Sequence, residues 1–170
     1  MKPYAFGGAI AFAVFAADQS SKVAVLSRVG HGANDVAPLT PFLDLAVRWN
    51  HGISFSLFSQ DTNFGRAVLL ILSLVAIALL VWWLLRSRSN LAAAGLGAII
   101  GGALGNAFDR IVHGAVVDFL DLHALGRHFF VFNFADAAIN LGVALLLVDV
   151  FFVSREQNGR NETGPGLGAS

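Results

Sequence analysis

The stretch AVLLILSLVAIALLVWWLL, which runs from Ala67 to Leu85, decides the fold class of this chain. It is apolar throughout apart from Ser73, and it closes on Arg86 and Arg88. A helix needs about 20 mostly apolar residues to cross the hydrocarbon core of a bilayer. The stretch therefore predicts a membrane-spanning helix that faces lipid.

Three further segments have the same length and apolar character, so four spans are predicted: residues 4–26, 67–85, 91–111 and 132–153. Of the 170 residues 56% are hydrophobic, which is too apolar for an ordinary soluble domain. The short turn from Arg86 to Asn90 makes the second and third spans antiparallel neighbours. We expect a mainly α membrane protein, an up-down bundle of four transmembrane helices.

The predicted organisation is one integral membrane domain, residues 1–153, with outer segments at 27–66 and 112–131 and a disordered tail at 154–170. Short loops rich in Lys and Arg face the cytoplasm. The cations that would then be cytoplasmic are Lys2, Arg86, Arg88, Arg155 and Arg160. Both termini are thus expected in the cytoplasm and the outer segments in the periplasm.

The outer segments carry strand signals. Apolar residues alternate strictly from Leu43 to Asn50, a turn follows at Asn50-His51-Gly52, and a second alternation uses Ile53, Phe55 and Leu57. Another short strand is predicted from His128 to Phe132. We expect a small β element (cradle) on the periplasmic side, with one face on the membrane surface or on protein and the other face in water.

Polar residues interrupt three of the four spans, and antiparallel alternation puts all of them in the same leaflet. An ionised side chain at mid-bilayer costs roughly 2.5 to 3.5 kcal/mol, so such groups normally face the bundle interior. Helical spacing places each set on one face of its helix. The sets are Asp18 with Lys22, then Asn106 with Asp109 and Arg110, and finally Asn133 with Asp136 and Asn140.

Asp118 and Asp136 are the residues most expected to take part in a reaction, because each lies in an apolar setting with no adjacent cation. Asp18 with Lys22, and Asp109 with Arg110, are instead interpreted as ion pairs that hold helices together. The glycine-rich run from Gly95 to Gly105 has small-xxx-small spacing, which is typical of close helix packing.

Five blocks in order resemble the lipoprotein signal peptidases, or signal peptidase II, a family of bacterial inner-membrane aspartic peptidases. The resemblance spans nearly the whole chain, with one departure at Ile53, where a small residue is more usual. The blocks are Asp18-Gln-Ser-Ser-Lys22, Asn50-His-Gly-Ile-Ser-Phe-Ser56, Gly101-Gly-Ala-Leu-Gly-Asn-Ala-Phe-Asp-Arg110, Val117-Asp118-Phe119 and Phe132-Asn-Phe-Ala-Asp136.

The resemblance implies that Asp118 and Asp136 form the catalytic pair, without a cofactor or metal. It implies as substrate a prolipoprotein with a diacylglyceryl-modified lipobox cysteine, cut on the amino side of that cysteine within the membrane. Cyclic peptides of the globomycin type inhibit such enzymes. The implied supporting or substrate-positioning residues are Asp18, Lys22, Asn50, Gly52, Asn106, Asp109, Arg110 and Asn133.

Paired acids suit this reaction for a physical reason. Two carboxylates a few ångströms apart cannot both ionise easily, so the pair holds one proton at working pH. The ionised member can take a proton from an attacking water while the protonated member donates to the scissile carbonyl.

Other functions would use some of the same types of residue. A proton-coupled transporter or a purely structural membrane protein would also carry intramembrane acids. A metallopeptidase would use His113, His123 and His128, but no His-Glu-x-x-His is present, and a serine hydrolase would need Ser21 and Lys22 on one helix face. The chain has no cysteine for thiol chemistry and no basic excess for nucleic acid. A cleaved signal peptide at the first span is the remaining alternative for that segment.

Overall fold

The computed structural model describes residues 1–30, 36–52, 63–125 and 127–162. Its secondary structure comprises, in chain order, α1 (Pro3–Val29), β1 (Val36–Thr40), β2 (Leu43–Asn50), α2 (Asn63–Arg86), α3 (Asn90–Val112), β3 (Val116–Ala124), β4 (Arg127–Phe132) and α4 (Phe134–Glu162). Four segments, Pro3–Val29, Gly65–Arg86, Asn90–Val112 and Phe134–Phe151, are long and apolar enough to cross a membrane. The predicted four-span protein with a small β element is confirmed.

Helix α3 is the centre of the bundle and packs against α1, α2 and α4. Two-thirds of its most apolar window (67%) is buried, whereas only 11% of the α2 window is, as expected for a lipid-facing span. The glycines of α3 make this packing possible. Gly97 lies against the backbone of Gly7, and a Cβ at Gly101 would lie 2.5 Å from the carbonyl oxygen of Ala11. The packing role predicted for the glycine run is thus supported by its contacts.

The four strands form one antiparallel sheet in the order β1-β2-β3-β4. Strand β2 matches the predicted alternation from Leu43 to Asn50, and β4 extends the predicted strand by one residue, to Arg127. The sheet is fixed to the end of α1, where Val25 packs with Val47 and Val117. The polar ends of the spans therefore meet the sheet directly.

Strands β1 and β3 were not predicted. Two prolines, Pro38 and Pro41, argue against a strand at β1, but an edge strand tolerates proline because one side of its backbone needs no partner. Strand β3 is almost continuously buried from Val116 to Phe119, so it lacks the alternation by which a half-buried strand is recognised.

Helix α4 differs from the prediction at both ends. It begins at Phe134 rather than at residue 132, because β4 occupies Phe132 and Asn133 caps the helix. It also continues to Glu162 rather than ending at Val153, so residues 154–162 of the predicted disordered tail are helical. Arg155, Glu156 and Gln157 are good helix formers, which accounts for the first part of this continuation but not for its passage through Asn158 and Gly159. Residues 163–170 and the predicted alternation at 53–57 lie outside the described residues.

Gly142→Ala tests the α3–α4 contact. A Cβ at Gly142 would lie 2.5 Å from the backbone oxygen of Gly95 and 2.7 Å from a side-chain carbon of Ile99, so the helices must separate. We expect a loss of about 1 to 3 kcal/mol of stability, seen as a lower melting temperature in detergent. Gly8→Ala is the matched control, because nothing lies within 4 Å of its added Cβ. Equal melting of the two variants would contradict this packing.

Candidate active site

The structure brings Asp118 and Asp136 to the place where the sheet meets the bundle. Asp118 lies on β3, and Asp136 lies in the first turn of α4. The two acids are linked through side-chain amides of Asn133 and Asn106. Nδ2 of Asn133 donates to Oδ1 of Asp118 at 2.7 Å and to Oδ1 of Asn106 at 3.0 Å, while Nδ2 of Asn106 donates to Oδ1 of Asp136 at 2.9 Å.

Asp118 is almost fully buried, with 3% of its surface exposed. Its second oxygen, Oδ2, accepts a hydrogen bond of 2.9 Å from Nδ2 of Asn50 on the neighbouring strand β2. Burial raises the pKa of Asp118 to about 6, against the hydrogen bond from Asn50, which lowers it, and the charge of Asp136 raises the pKa further. A carboxyl group with this pKa can both hold and release a proton near neutral pH.

Asn50 is oriented by its own turn. Its Oδ1 accepts a hydrogen bond of 2.9 Å from the backbone N–H of Gly52, which leaves Nδ2 directed at Asp118. Gly52 has φ of 120°, a conformation that side chains rarely adopt, so the turn favours glycine. The register supports the contact, because Arg48 pairs with Asp118 and Asn50 lies two residues along the same face.

Asp136 is held by a capping box. The Oδ1 of Asn133 accepts from the backbone N–H of Asp136 at 2.9 Å, and Oδ2 of Asp136 accepts from the backbone N–H of Asn133 at 3.2 Å. Asn133 therefore precedes the helix, and the predicted helical face shared by Asn133, Asp136 and Asn140 is wrong. The cap still places Asn133 and Asp136 together, because it joins residues three apart.

A buried ion cluster lies behind the two acids. Nζ of Lys22 lies 2.8 Å from Oδ2 of Asp18 and 2.8 Å from Oδ2 of Asp109. Nζ also donates to Oδ1 of Asn106 at 3.3 Å. The predicted pair of Asp18 with Lys22 is present, but the predicted partner of Asp109 is wrong: its ion-pair partner is Lys22 on another helix, rather than its neighbour Arg110.

Each acid of the ion cluster binds the backbone next to one candidate catalytic acid. Oδ1 of Asp18 accepts from the N–H of Ala135 at 3.0 Å, one residue before Asp136. Oδ2 of Asp109 accepts from the N–H of Val117 at 3.0 Å, one residue before Asp118. One lysine therefore couples the positions of both acids.

Gln19 and Gly105 were not among the predicted site residues. Nε2 of Gln19 donates to Oδ2 of Asp18 and Oδ1 of Asp109, at 3.0 Å each, and so ties the two acids a second time. The argument from helix faces misses Gln19 because adjacent residues point about 100° apart. Gly105 lies against the Asp18 carboxylate, and an added Cβ would overlap it. The glycine spacing was interpreted only as helix packing.

Arg110 borders the same network. Its Nη1 donates to the backbone oxygen of Asn106 at 3.2 Å, while its buried Nε has no hydrogen-bond partner within the part of the chain that the structure describes. A guanidinium with an unused donor beside carboxylates is suited to bind an incoming carbonyl or carboxylate.

The histidines do not join this network. His123 and His128 lie on the sheet, at 3.1 Å from Asp44 and 2.9 Å from Asp121 respectively, and His113 packs against Trp49. Among the described residues no group of three or more histidine and carboxylate side chains could hold a metal ion. Ser21, the serine of the hydrolase alternative, donates to the backbone oxygen of Asp18 at 2.7 Å.

Four membrane-capable helices and a sheet-covered polar site define a multi-pass membrane protein with two networked acids. The family model described as signal peptidase (SPase) II matches residues 10–152, and the chain belongs to this family. It is 45% identical to the lipoprotein signal peptidase of Methylocella silvestris over all of this chain and 99% of that protein. It is 46% identical to that of Beijerinckia indica over 89% of this chain and 90% of the relative.

A solved structure supports the same fold. A bacterial membrane enzyme, determined by the in meso method at 1.9 Å resolution, superposes with a TM-score of 0.73 at 26% identity. The match covers 85% of this chain and 91% of that one. The chain is therefore a signal peptidase II enzyme, as the sequence resemblance predicted.

Lys22→Met tests the ion cluster. The substitution leaves Asp18 and Asp109 buried without their cation, and removing one partner of a buried ion pair typically costs about 3 to 5 kcal/mol. We expect a markedly lower melting temperature in detergent. Arg28→Met, at an exposed position of the same helix, is the control and should melt like the wild type. A Lys22→Met protein as stable as this control would show that the cluster does not hold the fold.

Proposed function

We propose that this enzyme is an aspartic endopeptidase in which Asp118 and Asp136 activate water to remove signal peptides from prolipoproteins. The substrate carries diacylglyceryl on the lipobox cysteine, and the bond cut is on the amino side of that cysteine. The observation that carries the proposal is the amide bridge, in which Asn133 and Asn106 join the two carboxylates.

The amide bridge holds the two carboxyl groups near each other and fixes their orientation, and it brings no positive charge to either acid. Each carboxylate accepts two N–H groups, from Asn133 and Asn50 for Asp118 and from Asn106 and the Asn133 backbone for Asp136. Neutral amide donors stabilise a carboxylate less than a bound cation would. Lys22 instead binds Asp18 and Asp109, so its charge is engaged by other carboxylates.

The reaction uses one proton shared by the pair. The ionised carboxylate accepts a proton from water as the water oxygen bonds to the scissile carbonyl carbon, and the protonated partner donates to the carbonyl oxygen. Collapse of the tetrahedral intermediate breaks the C–N bond: the leaving amine of the lipidated cysteine takes up a proton from one carboxyl group, and the other carboxylate recovers a proton from a hydroxyl of the intermediate, so the pair again holds one proton. The pKa of Asp118, about 6, fits a pair that holds one proton in this range.

The substrate determines where the site must lie. Its diacylglyceryl group is confined to a leaflet, so the scissile bond arrives near headgroup depth. Asp118 on the sheet and Asp136 at the start of a span occupy that boundary. We place the termini in the cytoplasm, the sheet in the periplasm, and the protein in the bacterial inner membrane, in accord with the short cationic turn after α2.

Asp118→Asn and Asp136→Asn should each abolish cleavage of a diacylglyceryl-modified prolipoprotein by purified enzyme. Loss of general acid or base action alone costs about 100- to 10,000-fold in rate. Asp44→Asn makes the same chemical change on β2, outside the network, and should leave turnover unchanged. Turnover near the wild-type rate in either dyad variant, with melting and membrane level normal, would refute the two-aspartate mechanism.

The pH dependence of kcat/KM should reflect the titration of the Asp118–Asp136 pair. Because the active state holds one proton, kcat/KM should fall as pH rises through the higher pKa of the pair. Asn50→Ala removes a hydrogen bond that lowers the pKa of Asp118, so the basic limb should move to higher pH. Asn90→Ala, at an exposed position of α3, should not move it. A basic limb that stays in place or moves down in Asn50→Ala would contradict this assignment.

Arg110 is proposed to anchor the substrate backbone through its guanidinium group, because the side chain is only half-buried. Arg110→Ala should then raise KM by at least about tenfold, the loss of one charge-assisted hydrogen bond, with a smaller effect on kcat. Steady-state kinetics on the lipidated substrate separate the two parameters. An unchanged KM in a stably folded variant would contradict the proposed role of Arg110 in substrate binding.

A further inference from the structure

The end of the bundle opposite to the sheet has an open cavity of about 710 Å³. The first turn of α1 and the turn between α2 and α3 line it, and three of its lining residues are the cations Lys2, Arg86 and Arg88. Ligand cavities in proteins measure roughly 300 to 1,000 Å³, so there is room for a small group. The proposed peptidase reaction uses none of these residues.

Three cations give the cavity a positive charge, and this charge is largely not neutralised by carboxylates. Among the side chains that the structure describes, those of residues 1–30, 36–52, 65–125 and 127–151, no carboxylate forms an ion pair with any of the three cations. The first turn of α1 contains no acidic residue, and its N-cap residue, Lys2, makes no side-chain cap, so the positive end of this helix is open. Asp149 of α4 is the hydrogen-bond acceptor of Ser89, which caps α3, so this acid is engaged in fixing the turn.

Aromatic side chains hold two of the cations at the membrane surface. The guanidinium of Arg86 lies 4.0 Å from the centre of the Trp82 ring, and Nζ of Lys2 lies 5.7 Å from that of Tyr4. Trp82 and Trp83 are about half exposed, at 57% and 47%. Exposed tryptophan and tyrosine at the end of a span mark the headgroup level of a bilayer.

We propose that this cavity binds the phosphate of an anionic phospholipid, of the phosphatidylglycerol or cardiolipin class. Basic pockets between transmembrane helices recognise such headgroups. A lipid fits better than free phosphate, because Tyr4 and Leu85 extend the cationic wall with apolar surface toward the acyl chains. The site is distant from the sheet, so it does not depend on the proposed peptidase function.

Competition between lipids on the purified, full-length protein tests the proposal. Native mass spectrometry in equimolar phosphatidylglycerol and phosphatidylcholine should show selective retention of phosphatidylglycerol. Each surface cation contributes about fivefold to binding of an anionic lipid, so Arg86→Gln with Arg88→Gln should reduce the retained ratio of phosphatidylglycerol to phosphatidylcholine by roughly 25-fold. The charge-preserving Arg86→Lys with Arg88→Lys should keep most of the selectivity.

Arg28→Gln with Arg127→Gln is the matched control. It removes the same charge at exposed positions near the sheet and should not change lipid selectivity. Melting of each variant in lipid-free neutral detergent confirms that the fold is intact. Equal retention of the two lipids by the wild type, or an equal loss in the control, would overturn the site. Stabilisation by inorganic phosphate as large as that by phosphatidylglycerol would overturn the lipid assignment in favour of a free anion.

Discussion

The buried ammonium of Lys22 is the interaction on which the rest of the site depends. It lies 2.8 Å from both Asp18 and Asp109, and these acids also accept hydrogen bonds from the backbone N–H groups of Ala135 and Val117. A buried charge is expensive unless it is paired and fully hydrogen-bonded. Here the two carboxylates that pair with Lys22 also hold the start of α4 and the strand β3. Each does so through a backbone N–H group one residue before a proposed catalytic acid. The predicted pair of Asp18 with Lys22, together with the unpredicted pair of Lys22 with Asp109, therefore also aligns the site.

The start of α4 shows how the chain makes an acid available at the membrane boundary. A helix begins with four N–H groups that lack helical partners, and near lipid these need acceptors from the protein. Asn133, Asp136 and Asp18 supply three of the acceptors. Asp136 consequently lies at the positive end of the helix dipole, where a carboxylate is stabilised without a cation. Its second oxygen accepts from Asn106 and extends the helix cap into the amide bridge to Asp118.

The spans, the strand β2 and the convergence of the polar residues could be predicted because each depends on local periodicity. What could not be predicted depends on contacts between distant segments. Strand β3 is buried between neighbours and shows no alternation, and Lys22 pairs with Asp109 only because α1 and α3 pack closely. Gln19 was missed for the same reason: its hydrogen bond to Asp109 joins two helices, and its position does not share the helix face of Asp18. The continuation of α4 to Glu162 was missed because a polar composition that includes Asn158 and Gly159 was interpreted as disorder.

The glycines of α3 connect packing to the geometry of the site. Lipid gives helices no hydrophobic reason to associate, so close backbone contact and polar pairing must hold the bundle together. Gly101 and Gly102 allow the backbones of α1 and α4 to approach at Ala11 and Ala135, and one turn further along Gly105 admits the carboxylate of Asp18. The same short run therefore sets the separation between the helices, across which Lys22 reaches Asp109 and Asp18 reaches Ala135. Because one network supplies both cohesion and alignment, we expect substitution of Asp18, Lys22 or Asp109 to reduce activity by displacing the proposed catalytic acids, Asp118 and Asp136, which lie at the ends of this network.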